Sequence, residues 1–202
     1  MSTAVSRKSQ SLRSWGSRDV VVDRRARLAV GAVAFALAAV FGAQIAVPVP
    51  LTPVPITLQT LFVILAGVVL GPRAGALSMA LYVGAGALGA PVFSNGGAGV
   101  AWLLGPTGGY LLAYPASAFA AGWVASPWRV RRGSVAFLLA GLTVGVAVQY
   151  AGGLLQLSLL TGRTPTEVLA MGALPFLFGD AVKIATAAWI ARGMRSTSFG
   201  EF

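Results

Sequence analysis

The sequence predicts an all-α polytopic membrane protein of six transmembrane helices, with the N- and C-termini both cytoplasmic. Three observations predict it. Hydrophobic residues are 56% of the 202 and charged residues only 10%, against about 25% charged in a soluble domain; the mean hydropathy is +0.80. A chain this apolar cannot cover a water-facing surface and takes lipid as its solvent. Second, breaks rich in Pro, Gly or Arg divide it into apolar runs close to the roughly 20 residues that a helical span needs. Third, Lys and Arg fall in alternate connections, as the positive-inside rule requires.

Residues 1–27 are polar, Ser- and Arg-rich, and read as a disordered cytoplasmic tail. The six-helix membrane domain covers 28–192, and 193–202 form a short cytoplasmic tail. The first span is Leu28–Val47; basic residues precede it as in a signal peptide, but its length and the apolar runs that follow favour a retained span. Pro48, Pro50, Pro53 and Pro55 then prevent helix continuation. The second span, Ile56–Leu70, is short and ends at Gly71-Pro72-Arg73; the third is Ala74–Ala90. A Gly-rich stretch from Pro91 to Gly109 leads to the fourth span, Tyr110–Ser126. Pro127 to Gly133 carries three arginines, the fifth span is Val135–Leu155, a polar connection occupies 160–170, and the sixth span is Gly172–Ala191.

Charge fixes the orientation. The N-terminal tail holds seven of the basic residues (Arg7, Lys8, Arg13, Arg18, Arg24, Arg25, Arg27), and the Pro-rich and Gly-rich connections hold none. Arg73 marks the second connection, Arg129, Arg131 and Arg132 the fourth, Arg163 the fifth, and Arg192 and Arg195 the C-terminal tail. The two Pro/Gly-rich loops therefore face outward. The net charge of +10 is spent on topology beside anionic headgroups, not on nucleic acid, because there is no basic folded domain to read a duplex. With no cysteine and no histidine, disulfides, thiol chemistry and His-based metal sites are excluded. The five scattered acidic residues make no metal cluster. No cofactor is expected, and no nucleophile–base pair suggests an enzyme.

Small residues recur at four-residue spacing: Gly67/Gly71/Gly75, Gly141/Gly145, and overlapping Ala pairs in the first span, among them Ala34/Ala38. Such spacing lets helices approach closely in lipid; on the first span it serves either packing or docking of another membrane protein.

The most informative residues are Asp180 and Lys183 inside the sixth span. At i,i+3 they share one helix face. A charge at mid-membrane costs about 2.5–3.5 kcal/mol, which leaves either a mutually neutralised structural pair or a functional site. With a helix starting near Pro175, a favoured first-turn residue, Asp180 lies about 8 Å below the outer end. The outer loop Gly89-Ala90-Pro91-Val92-Phe93-Ser94-Asn95-Gly96-Gly97, followed by Trp102, offers glycine N–H groups, the Asn95 amide and two flat apolar walls, Phe93 and Trp102. Alternatively it is an interfacial loop with aromatic anchors. Gln59 and Tyr82 are polar groups in apolar runs that serve either as interhelical hydrogen-bond partners or as ligand contacts; Gln149 and Tyr150 give a weaker signal of the same kind. No nucleotide-binding Gly-Lys-Ser/Thr motif is present.

Pro53-Val54-Pro55-Ile56-Thr57-Leu58-Gln59-Thr60, Gly89-Ala90-Pro91-Val92-Phe93, Leu104-Gly105-Pro106-Thr107-Gly108-Gly109-Tyr110 and Pro175-Phe176-x-x-Gly179-Asp180-x-x-Lys183 together resemble the biotin-specific S component of energy-coupling factor transporters, the BioY family. The resemblance runs over residues 28–192. It implies a biotin-binding subunit for vitamin uptake in the bacterial plasma membrane, with a pocket near the outer surface. It also implies a transmembrane coupling subunit and two ABC ATPases as partners, since this chain lacks an ATP-binding motif. Ala34 and Ala38 would lie on the docking face of the first helix. Within such a pocket, the ureido ring of biotin presents two N–H donors flanking a carbonyl, and Asp180 with Lys183 complements them. Asn95 and nearby glycine N–H groups would meet the valerate carboxylate; Phe93, Trp102 and Tyr82 would pack the thiophane ring and chain; Gln59 would add a hydrogen bond. Two other readings stand beside this one: a solitary or self-associating biotin transporter without ATPases, and a non-transport membrane scaffold.

Overall fold

The computed structural model describes residues 24–50, 52–126 and 134–196. Most of the N-terminal tail, the Pro127–Gly133 connection and the last residues of the C-terminal tail therefore lie outside the described residues. Helix α1 spans Arg24–Gln44 and α2 Gln59–Leu70. Between them, strands β1 (Ala46–Val47) and β2 (Ile56–Thr57) pair antiparallel, Ala46 opposite Thr57 and Val47 opposite Ile56. This pairing takes Ile56 and Thr57 out of the helix predicted to begin there. Leu58 N–H donates to the Gly42 carbonyl at 3.1 Å, so the proline loop is stapled back onto α1.

Gly71 alone turns α2 into α3 (Pro72–Ala87), at a φ of 85° that favours glycine, and Pro72 starts the new helix. A 3-10 turn at Ser94–Gly96 and the short helix α4 (Val100–Leu103) fill the Gly-rich stretch. Helix α5 is Gly108–Val124 and α6 is Val135–Thr161, six residues beyond the predicted Leu155. The 160–170 connection is itself mostly helical: α7 spans Pro165–Gly172 with a reciprocal capping box between Thr164 and Glu167. A 3-10 turn at Leu174–Phe176 breaks the chain before α8, Leu177–Ser196.

One buried cluster joins α2, α5, α6 and α8 through Ile64, Leu65, Ala121, Leu138, Leu142 and Ala187. A second joins α1, α2, α3 and α5 through Ala39, Val63, Met79, Tyr82, Phe93 and Ala118. Glycines bring the helices together: a Cβ on Gly67 would overlap the Ala118 carbonyl, and one on Gly122 the Gly67 carbonyl. Large apolar side chains stay on the outside, among them Val33, Leu37, Phe41, Phe178 and Trp189, as befits a multi-pass protein whose surroundings are lipid. Three helical stretches are long and apolar enough to cross a bilayer: Arg25–Gln44, Val135–Thr161 and the broken stretch Pro165–Met194. Helix α2 is apolar but shorter.

Candidate functional site

The β1–β2 connection, the loop around Ser94, the start of α5 and the break before α8 converge at one end of the bundle around a cavity. It encloses about 590 Å³ of space between atoms, counting the open space at its mouth. Its walls divide by chemistry. Val54, Pro55, Ile56, Leu111 and Val146 are aliphatic, and Tyr110, Tyr114, Tyr150 and Phe176 are aromatic. Asp180, Lys183, Gln59, Gln149, Thr57, Thr60, Ser94 and Thr107 supply polar groups.

Asp180 stands in the first turn of α8, where a carboxylate suits the exposed N–H groups of a helix start. Lys183 Nζ donates to its Oδ1 at 2.8 Å, and Tyr150 on α6 donates its hydroxyl to Oδ2. Asp180 and Lys183 are 6% and 7% exposed. The pair is neutral as a whole, which lowers the cost of burial, yet the ammonium keeps further N–H donors and the carboxylate further lone pairs. It can thus accept and donate side by side.

A second polar group is centred on Gln59, at the first position of α2. Its Oε1 accepts from the Thr57 hydroxyl at 2.9 Å and the Ser94 hydroxyl at 3.5 Å. Its Nε2 donates to the Tyr82 hydroxyl, which in turn donates to the Val92 carbonyl at 3.0 Å. One amide therefore links the proline loop, α3 and the Gly-rich loop. A third relay runs from Thr60 to Gln149 at 3.1 Å, from Gln149 to Ser117 at 2.9 Å and from Ser117 to the Gly145 carbonyl at 2.8 Å. No buried side-chain polar atom among the described residues lacks a partner.

Of the residues singled out from sequence, Asp180, Lys183 and Gln59 line the cavity, and so do the weaker candidates Gln149 and Tyr150. Tyr82 and Phe93 stand one layer behind Gln59, fully buried, with rings edge to face at 5.7 Å. Trp102 is half-buried against Gly97, where a Cβ would strike the indole. Asn95 is exposed, at a left-handed φ of 55°, next to the cavity-lining Ser94. On α1, Ala34 is exposed on the side that also carries Val30, Val33, Leu37 and Phe41, while Ala38 is half-buried. Tyr110 and Tyr114 also belong to the wall, beyond the residues that the sequence singles out. Their four-residue spacing places both on one face of α5 and is the signal the sequence holds for them.

The model of the BioY family matches residues 10–198. A probable biotin transporter BioY of Pyrococcus horikoshii is 44% identical over 157 residues, covering 78% of this chain and 89% of that protein. The biotin transporter BioY of Thermotoga maritima is 39% identical over 145 residues, covering 72% and 83%. Among solved structures, the S-component for biotin from an ECF-type ABC transporter superposes with a TM-score of 0.81 at 25% identity, covering 87% of this chain and 94% of that one. With a family match over nearly its whole length and relatives of this closeness, the chain belongs to the BioY family.

Proposed function

We propose that this chain is a biotin-binding S component that takes up biotin through an ATP-driven complex of the energy-coupling factor type. The observation that carries the reading is the cavity itself: a mostly apolar space with one buried carboxylate–ammonium pair in its wall, in a chain whose relatives are named biotin transporters. The ureido carbonyl of biotin takes a free N–H of Lys183, and a ureido N–H meets Asp180. Tyr110, Tyr114, Phe176 and the aliphatic wall surround the thiophane ring and chain. Asn95, beside Ser94, meets the valerate carboxylate at the rim. Gln59 contributes directly, and Tyr82 acts through Gln59, whose amide it holds.

Six spans with both termini inside fit this arrangement. Arg25, Arg27, Arg73 and Arg192 fall at the start of α1, the α2–α3 turn and the end of α8, a basic inner end. The cavity then opens outward. Ala34 and its apolar neighbours on α1 provide the face for a transmembrane coupling subunit, with two ABC ATPases beyond it. Uptake of labelled biotin by a host without a biotin importer tests this, with and without co-expressed coupling subunit and ATPases. Uptake that requires the partners supports the reading; full uptake by this chain alone selects the solitary transporter instead.

A further inference from the structure

The Asp180–Lys183 pair belongs entirely to α8. It moves with that helix and carries no information about how α8 sits against the bundle. The bond that ties it to another element comes from Tyr150 on α6; among the described residues Tyr150 and Lys183 are the side-chain donors to this carboxylate, one on each oxygen. The segment needs such a tie, because an irregular Ala173 (φ −129°, ψ −55°) and a 3-10 turn interrupt the chain just ahead of α8. On the other side of this break, Tyr110 of α5 donates to the Gly172 carbonyl at 2.6 Å. The two phenol rings meet edge to face at 6.4 Å. Tyr110 is itself seated on Gly153, where a Cβ would run into its ring. Two phenols from adjacent helices thus hold the two sides of the break.

We propose that Tyr150 is the positioning residue for Asp180 and thereby sets the preference for a ligand that offers a ureido N–H. The proposal rests on the biotin reading above and names the group that sharpens it. With Oδ2 held by Tyr150, the carboxylate cannot turn both oxygens onto Lys183, so it keeps a lone pair aimed at the ligand. Without the hydroxyl, the carboxylate rotates into a two-pronged pairing with the ammonium, the strongest partner left in a low-dielectric wall. The ligand N–H is then buried without an acceptor, which is the costly outcome.

The test compares dissociation constants of the purified full-length protein and Tyr150→Phe for biotin and for its two analogues methylated at one or the other ureido nitrogen. Phenylalanine keeps the ring contact with Tyr110. Wild-type protein is expected to prefer biotin over at least one methylated analogue. In Tyr150→Phe biotin weakens about 10- to 100-fold, as for one lost charge-assisted hydrogen bond, and that analogue less than about threefold, so the preference collapses. Equal weakening of both ligands, the mark of general loosening, overturns the proposal, as does no weakening. Should the phenylalanine variant fail to fold, Tyr150→Gln, which retains a donor, is expected to keep a preference for biotin over that analogue within about threefold of the wild-type preference; a folded Tyr150→Gln that has lost the preference overturns the proposal. Wild-type protein that binds biotin but does not distinguish either methylated analogue overturns the ureido placement and this inference with it. Wild-type protein that binds no biotin overturns the functional reading instead, a separate result.

Discussion

Asp180 and Lys183 lie 2.8 Å apart in a wall of otherwise mostly apolar side chains. A buried ion pair is weak support for stability, because its desolvation offsets much of its attraction, but removing one partner strands the other charge. Asp180→Ala is therefore expected to destabilise the protein by about 3–5 kcal/mol and to abolish biotin binding. The double variant Asp180→Leu/Lys183→Met is expected to melt at or above the wild-type temperature while still binding no biotin. Thermal unfolding in detergent, read beside ligand binding, checks both; a double variant as unstable as the single one would mean that the pair serves structure. The pair was legible in sequence because charges inside an apolar run stand out. Tyr150 is legible only weakly, because a tyrosine in an apolar run equally suits packing, and only the fold brings its hydroxyl to Asp180. Tyr82 shows the converse: conspicuous in sequence, it faces Gln59 and the Val92 carbonyl and does not line the cavity.

At the level of elements, helix interiors followed from hydropathy and helix ends followed from local chemistry. The α2 start moved to Gln59 because Ile56 and Thr57 pair with β1, a tertiary contact that no local pattern announces. By contrast, α7 was legible in principle. Thr164-Pro165 followed by Glu167 is a capping box with proline in the first turn, hidden by the polarity of its surroundings. Glycine spacing was legible in part: Gly75 abuts Gly67, and Gly141 and Gly145 press on α5, whereas Gly71 has nothing within 4 Å and serves the turn; Gly122, outside that spacing, meets the Gly67 carbonyl where α2 and α5 approach. Gly67→Ala is expected to force those helices apart and to destabilise by about 1–3 kcal/mol. Gly84→Ala, also within a helix but with nothing within 4 Å of the added carbon, is expected to stabilise by up to about 1 kcal/mol. Paired melting curves check the contrast, and equal effects would show that glycine spacing is not what sets the α2–α5 distance.

For the whole molecule, the absence of cysteine makes topology directly measurable. An impermeant thiol reagent applied to intact cells is expected to label Asn95→Cys and to leave Arg73→Cys unlabelled until the membrane is opened. Labelling of Arg73→Cys from outside would reverse the orientation that the arginines imply. Under that orientation Gln59, Ser94 and Asp180, from three different elements, would stand at one outer mouth, with the spans as the walls of the cavity. The sequence carried the order of those walls and the break at Gly71; the interruption at Ala173, which sets how α8 closes on them, needed the fold. The most direct test of the central claim is equilibrium binding of labelled biotin to the purified full-length protein, with unlabelled biotin, thiamine and riboflavin as competitors. The account predicts saturable binding displaced by biotin alone; no biotin binding, or displacement by thiamine or riboflavin, would contradict it.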